Sequence, residues 1–529
     1  MMGRLAGYAR FVRDLLPFLN HPLSLEDAKT EVAERMQHRD QALLRFMHKC
    51  VYGNPSSPYL PLLREAGCTY GDAVASVRQW GVEGFLQHLL RAGVTVSFEA
   101  FKGREPLIVG GVEHAVRDAD FDNPFLPAGP RICSGGTSGR TSRTFLDLEF
   151  RGRLAVYERL TLAMLDIEDV PIALWHPTLP AVTGMCNSLL YARSGHPPAR
   201  WFHMLPPSRV RPGLESRAAT AVIVTMTRFS RAPIPWPRAL PVDRPEVIVD
   251  WIRQTRRRTR RCVVHTYVSQ AVRVCQAAAA AGLRLDGTQF IVGAEPLTQA
   301  KRGEIEVLGA HVYSRYYSTE AGAIGLGCGT PADVDDLHLV SDTVAVIPLD
   351  DSTVSDREPK PLVLTSLLAE SPKVMLNVQI GDAAVMAERP CGCLLGALGL
   401  QTHLSSVRSY SRVTGEGMSM NAAELTRIIE EVLPARYGGA STDYQWAEEE
   451  DERALTRLCL RIDPRVGPVD EVRVVEDILA ELRRGDRAHR IYAEMWRQAG
   501  TIRVLRERPR LTVQGKLLAI LRERRGAFS

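Results

Sequence analysis

The chain has 529 residues, 45% of them apolar and 24% charged, with a formal net charge of +5. That length exceeds what one hydrophobic core supports, so two or more domains are expected. The balanced charge gives no footing for nucleic-acid or membrane binding. No apolar run is long enough to span a bilayer, and ten cysteines in so long a chain are no disulfide framework.

In chain order, "MMGRLAGYARFVRDLLPFLN" carries charges through its apolar stretch and reads as an amphipathic helix rather than a secretory signal. Gly3 follows two methionines, which does not match a myristoylation site, and a cytoplasmic address is expected. Residues up to about Phe101 read as helical, as in "DAKTEVAERMQHRDQALLRFMHK". From there to about residue 405, short apolar runs alternate with helical patterns. "AVIVTM" (Ala221 to Met226), "CVVHTY" (Cys262 to Tyr267) and "QFIVGA" (Gln289 to Ala294) read as strands of an α/β domain rich in parallel sheet. "VDWIRQTRRRTRR" reads as a surface helix with a basic outer face, since no aromatics interleave its arginines.

The last 120 or so residues alternate helix and strand differently. "NAAELTRIIEEVLP" and "VDEVRVVEDILAELRRG" read as helices, "DYQWAEE", "LTRLCLRID" and "GTIRVLRER" as strands, and "GKLLAILRERR" as a closing helix. The expected architecture is a large N-terminal domain, 1–408, with mixed and parallel sheets, followed by a small α+β domain, 409–529.

"ICSGGTSGRTSRT" (Ile132 to Thr144) packs three glycines, a run of hydroxyl side chains and two arginines behind the turn-rich "FDNPFLPAGP". A plain loop needs fewer glycines. A phosphate cradle uses all of them, because glycine lets backbone N–H groups approach an anion while hydroxyls and arginine add donors and charge. It is not a Walker A loop, for the lysine is absent and the glycine spacing differs.

With the segments that follow, the sequence resembles the adenylate-forming (AMP-dependent) ligases, and within them the phenylacetate–CoA ligase branch. "SGGTSGRT" is similar to that family's phosphate loop, which implies Ser134, Gly135, Gly136, Thr137, Ser138, Gly139 and Arg140 over the ATP phosphates. "VGAEPLTQAKRGEIE" resembles the segment that lines the adenine pocket, here Gly293, Ala294, Glu295 and Pro296. "YYSTEAG" places Tyr316 and Tyr317 at the nucleotide, with Thr319 and Glu320 as the family's Thr-Glu pair. A carboxylate there suits Mg²⁺ on the ATP phosphates. Without the resemblance, "STE" would read as a helix N-cap. In "IGDAAVM", Asp382 matches the aspartate that binds the ribose hydroxyls. In "VRSYSRVTGEGMS", Arg408 matches the arginine near ribose and phosphate and Gly415 the loop glycine. In "RPRLTVQGKLLAIL", Lys516 matches the catalytic lysine.

The resemblance implies that ATP and Mg²⁺ activate a carboxylic acid as acyl-AMP. The small domain then turns about a hinge near Ser409 to admit a thiol, usually coenzyme A. This chain departs at several points: Thr141 replaces a proline, Tyr317 a glycine, and Ser409 and Tyr410 an acidic pair, while "MLNVQIGD" lacks a basic residue before its aspartate. Relatives in natural-product pathways suggest secondary metabolism and an alternative reaction, a diazotase that activates nitrite and diazotises an aryl amine. A non-catalytic nucleotide-binding homologue is a further alternative, and a homodimer is left open.

The substrate pocket is expected from "LWHPTLPAVTGMCNSLLY" and "VVHTYVS". Trp175, His176, Gly184, His265 and Tyr267 there suit an aromatic or planar guest, or else are ordinary core. Cys328, His338, Cys391 and Cys393 form a Cys₃His set apt for tetrahedral Zn²⁺, the alternative being buried thiols and a surface histidine. Some phenylacetate–CoA ligase relatives carry such a site in the matching segments.

Overall fold

The computed structural model describes residues 2–126, 131–133, 136–137, 143–179, 181–204, 213–349, 355, 358–410, 412–484, 487–511 and 517–522. Its framework is one mixed sheet of twelve strands. In chain order these are β1 (Ile172–Trp175), β2 (Arg200–His203), β3 (Pro237–Ala239), β4 (Cys262–Tyr267), β5 (Thr288–Gly293) and β6 (His311–Ser318). They are followed by β7 (Gly322–Leu326), β8 (Leu337–Leu339), β9 (Val344–Pro348), β10 (Lys360–Ser366), β11 (Val378–Glu388) and β12 (Thr402–Ser409). The spatial order is β9-β10-β11-β12-β8-β7-β6-β5-β4-β1-β2-β3.

From β6 to β3 neighbouring strands run parallel, and from β6 to β9 they run antiparallel. The parallel half has helices on both faces, so β1 and β4 are buried along their whole length and read as unbroken apolar runs. Helices Glu246–Thr259 and Val268–Ala280 share one core with β4 and β5, while Leu148–Met164 and Val182–Arg193 lie on the other face. The helical segments from Leu43 to Phe101 pack on the antiparallel half, while helix Met2–Asn20 packs through Phe11, Leu15 and Leu19 on the parallel half and Leu25–Gln37 packs on helix Leu148–Met164.

Beyond Ser409 the chain leaves this sheet. A hairpin, Arg412–Gly415 with Met418–Asn421, is followed by a four-stranded sheet in the order Ile502–Leu505, Thr456–Ile462, Tyr444–Glu450, Ile520–Arg522. Helices Glu471–Arg483 and Arg487–Ala499 cover it, with Trp446 and Trp496 in a core of its own. The fold class expected from the sequence, a large α/β unit plus a small α+β one, is the fold observed.

Two elements differ from the sequence reading. "AVIVTM" lies inside helix Leu214–Thr227. Its buried positions, with Ala219, Thr220, Ile223, Val224 and Thr227 inward, repeat at helical spacing and not at every second residue. At the C-terminus, Ile520–Arg522 is a strand parallel to Trp446–Glu448, where a helix was expected. There an open sheet edge overrides the helix propensity of the leucine-rich run.

Candidate active site

One cavity opens where the parallel and antiparallel halves of the sheet meet, at the ends of β5 and β6, and the hairpin after β12 forms part of its wall. β6 and β7 make a tight turn that presents Thr319 and the buried Glu320 to the cavity. Ser318 Oγ accepts from Ala321 N at 2.9 Å and closes that turn. No helix follows it, so "STE" is not a helix cap.

The Glu320 carboxylate accepts a hydrogen bond from Lys102 Nζ at 2.7 Å. Burial would raise this carboxyl, but the Lys102 ammonium and then the Arg412 guanidinium outweigh burial and hold it at about 2. This carboxylate is therefore ionised and already faces a buried cation. Lys102 sits at the end of the short helix Phe98–Phe101, in a segment with no sequence signal for chemistry.

Asp382 lies on β11 directly after Gly381, whose φ of +79° turns the strand at a value few other residues adopt. The Gly381 carbonyl accepts from Tyr410 N at 2.9 Å and from Ser409 Oγ at 3.0 Å, which fixes the chain where it leaves the sheet. Tyr316 Oη donates to Asp382 at 2.8 Å and Arg412 Nη2 donates to it at 2.7 Å. Arg408 lines the same cavity. Arg412, four residues further on, is the arginine that binds the aspartate, and the sequence reading passed over it.

Ala294, Glu295 and Pro296 line the cavity after β5. Gly293 lies under the strand, where a Cβ would fall 2.9 Å from the Arg315 carbonyl. The Glu295 carboxylate turns inward, accepting from Ser269 N at 3.2 Å and lying 4.0 Å from Lys301 Nζ.

The hairpin reaches the cavity through Gly417, with φ +72°; a Cβ there would fall 2.1 Å from the Tyr267 ring. Gly417 therefore holds the close approach, whereas Gly415 packs against Thr501. Between them Glu416, fully buried, accepts from Arg273 Nη2 at 2.6 Å and Gln270 Nε2 at 2.9 Å, pinning the hairpin to helix Val268–Ala280. The backbone of Gly136 and Thr137 pairs with Ser419 and Met420 as a parallel strand. Ser134, Gly135, Ser138, Gly139, Arg140 and Lys516 lie outside the described residues.

The expected substrate pocket needs correction. Tyr267 lines the cavity, its hydroxyl 3.0 Å from Thr183 Oγ1. Trp175 does not. It is wholly buried in the parallel half, its indole donating to the Leu240 carbonyl. Gly184 is a packing position, since a Cβ there would fall 2.3 Å from the Pro177 carbonyl. His176 and His265 stack edge to face behind Tyr267, with 4.9 Å between each pair of rings that His176 makes.

The cysteine and histidine set does converge. One ligand atom from each of Cys328, His338, Cys391 and Cys393 lies within 4.8 Å of every other. Cys328 and Cys391 are 3.9 Å apart and Cys393 Sγ is 3.2 Å from His338 Nε2. Ligands about 2.3 Å from a tetrahedral ion stand roughly 3.8 Å apart, so the set fits zinc. His338 Nδ1 lies 2.7 Å from the Leu400 carbonyl, which leaves Nε2 to face the thiols. Behind it His403 stacks at 4.1 Å and meets Asp336 at 2.7 Å.

No protein-family model and no curated protein matches the sequence. Solved structures do. A 2-hydroxyisobutyryl-CoA ligase in complex with 2-HIB-AMP and CoA, in the thioesterification state, matches with a TM-score of 0.56 and 15% identity, covering 92% of this chain and 90% of that one. The same ligase in its postadenylation state gives 0.46 at 13%, covering 96% and 92%. An amide bond synthetase mutant from Marinactinospora thermotolerans gives 0.34 at 11%, covering 74% and 96%. The first of these likenesses shows that the chain has the fold of an AMP-forming acyl-CoA ligase.

Proposed function

We propose that the chain is an ATP-dependent, AMP-forming ligase that activates a carboxylic acid. The observation that carries this reading is the convergence of Ala294–Pro296, Tyr316, Glu320, Asp382 and Arg408, drawn from separate parts of the chain, on one cavity. The ligase solved with an acyl adenylate and CoA adds support through its fold.

In the proposed reaction the acid's carboxylate oxygen attacks the α-phosphorus of ATP. The bond from that phosphorus to the β-phosphate bridging oxygen breaks, and pyrophosphate leaves with the electron pair. Two anions meet in this step, so charge neutralisation is the main task. Asp382 and Tyr316 would orient the ribose, and the 134–141 loop would hold the β- and γ-phosphates. Lys516 would neutralise the α-phosphate and carboxylate. Glu320 would hold Mg²⁺, which supplies charge neutralisation on the phosphates when bound. No side-chain nucleophile is needed.

The unit after residue 408 would then turn about Ser409, and a thiol such as coenzyme A would take the acyl group and release AMP. Zinc on Cys328, His338, Cys391 and Cys393 would join the loop after β7 to the segment between β11 and β12. All four protein ligands are present, so its role is structural.

The test is pyrophosphate release by the purified full-length protein with ATP, Mg²⁺ and a panel of acids, with nitrite plus an aryl amine as a separate arm. An acid-dependent signal is expected. A signal confined to the nitrite arm would replace this reading with the diazotase.

The zinc reading is checked separately, on protein purified without a polyhistidine tag. About one zinc per chain is expected, and Cys391→Ser should lose it and melt at least about 4 °C lower. A metal-free wild type that melts like the variant refutes the site.

A further inference from the structure

Behind the wall of the cavity formed by Tyr267, Arg315 and Tyr317 lies a buried polar cluster that the proposed reaction does not use. Arg315, on β6, is 7% exposed and donates from Nη1 to Glu158 at 2.6 Å. Its Nη2 has no partner among the described residues, and neither does Tyr317 Oη. Both residues line the cavity, and these two atoms are themselves buried at its wall. Beside Tyr267, His176 is 2% exposed with both ring nitrogens unpartnered among the described residues. Burial, with the Arg315 charge added, pushes His176 down to about 3, so it is a neutral ring able to donate and to accept.

The charges do not balance. Arg151, 5% exposed on helix Leu148–Met164, and Arg315 are two buried guanidinium groups, and Glu158 is the one carboxylate paired with either among the described residues. An unmatched buried cation and orphaned donors cost several kcal/mol in an apolar interior. A ligand oxyanion at Arg315 would supply the missing partner.

We propose that the acid this site activates carries a second polar group, an oxyanion or a strong hydrogen-bond acceptor, at the end remote from the reacting carboxylate, and that Arg315 and Tyr317 receive it. The inference rests on the adenylating reading for which carboxylate reacts, but not for the subsite itself. The donors at the wall reject an apolar terminus because it would leave them unpaired. The planar guest expected from the sequence is thereby narrowed to one with a polar far end.

The test uses matched acids on the full-length protein: hexanoate against adipate, and phenylacetate against 4-hydroxyphenylacetate and 4-carboxyphenylacetate. Binding is measured by calorimetry with and without α,β-methylene ATP, and pyrophosphate release is measured in parallel. At least one polar member should bind about 10-fold or more tightly than its apolar analogue. In Tyr317→Phe that ratio should fall by roughly 3- to 10-fold. The variant should melt no lower than wild type, since it loses an unpartnered hydroxyl. Polar members that bind no better than their analogues, or not at all, overturn the inference. So does a ratio that Tyr317→Phe leaves unchanged. Selective binding without pyrophosphate release from any acid would retain the subsite and overturn the adenylating reading.

Discussion

Glu320→Gln is expected to lower acid-dependent pyrophosphate release by roughly 10²- to 10³-fold, the range seen when one preorganised charge-stabilising group is removed. The fall should be in kcat, with ATP binding nearly retained, because the carboxylate acts where charge develops on the leaving group. Its partner in the structure is Lys102, which is 8% exposed. The variant leaves that ammonium facing a neutral amide, so a loss of stability on the order of 3 kcal/mol accompanies the kinetic defect.

Lys102→Met in the same background separates the two effects. It should recover stability, by removing the uncompensated cation, without recovering rate. The pH dependence follows from the depressed carboxyl, at about 2 against an ordinary 4.5. A lowered carboxylate stabilises the fold above its ordinary value and loses that contribution as pH falls from 4.5 towards 2. Between about pH 5 and 8 Glu320 stays charged, so Glu320→Gln should lower the rate equally across that range and shift no limb of the pH profile. A variant with wild-type kcat would remove Glu320 from the chemistry.

Asp382→Ala should fail in another way, by losing nucleotide affinity. The carboxylate accepts from Tyr316 and Arg412, and a ribose would add two further donors to the same group. Hydrogen bonds to a charged group contribute about 1.5–3 kcal/mol each, so the loss of two is expected to lower ATP affinity by roughly 10²- to 10⁴-fold. Arg412 also touches the surroundings of Glu320 and caps the Phe98 ring at 5.6 Å, so its displacement would loosen the phosphate end as well. Asp382→Asn, which keeps one acceptor for Arg412, should retain the fold while still binding ATP weakly. Calorimetry that finds unchanged ATP binding in Asp382→Ala would refute the ribose role.

The sequence made the ordered motifs legible because each depends on a local pattern: a strand, then a turn that presents one or two polar residues. "CVVHTY" is β4 as read, and Thr319, Glu320, Asp382 and Arg408 all reach the cavity. The four metal-type ligands were also legible from residue chemistry, although their meeting depends on the β8–β12 pairing that brings His338 beside His403.

What local pattern could not show was long-range pairing. Lys102 meets Glu320 across 218 residues, and Arg315 meets Glu158 across 157, each through the stacking of a distant helix on the sheet. "LWHP" shows the same limit. An aromatic at the end of a buried strand and the histidine just after it point to opposite sides, so Trp175 goes to the core and His176 towards the cluster behind Tyr267. Nor does local pattern show that Gly417, two residues after Gly415, is the hairpin glycine that approaches Tyr267.

The central claim is that a carboxylate oxygen of the substrate becomes bonded to the α-phosphorus of ATP in the cavity that holds Glu320 and Asp382. Its most direct test uses an acid found active in the panel, labelled with ¹⁸O in both carboxylate oxygens and turned over with ATP and a thiol. The account predicts that the AMP formed carries one ¹⁸O, left behind when the acyl carbon–oxygen bond breaks, with unlabelled pyrophosphate as the other product. Unlabelled AMP, or label appearing in inorganic phosphate with ADP, would contradict it.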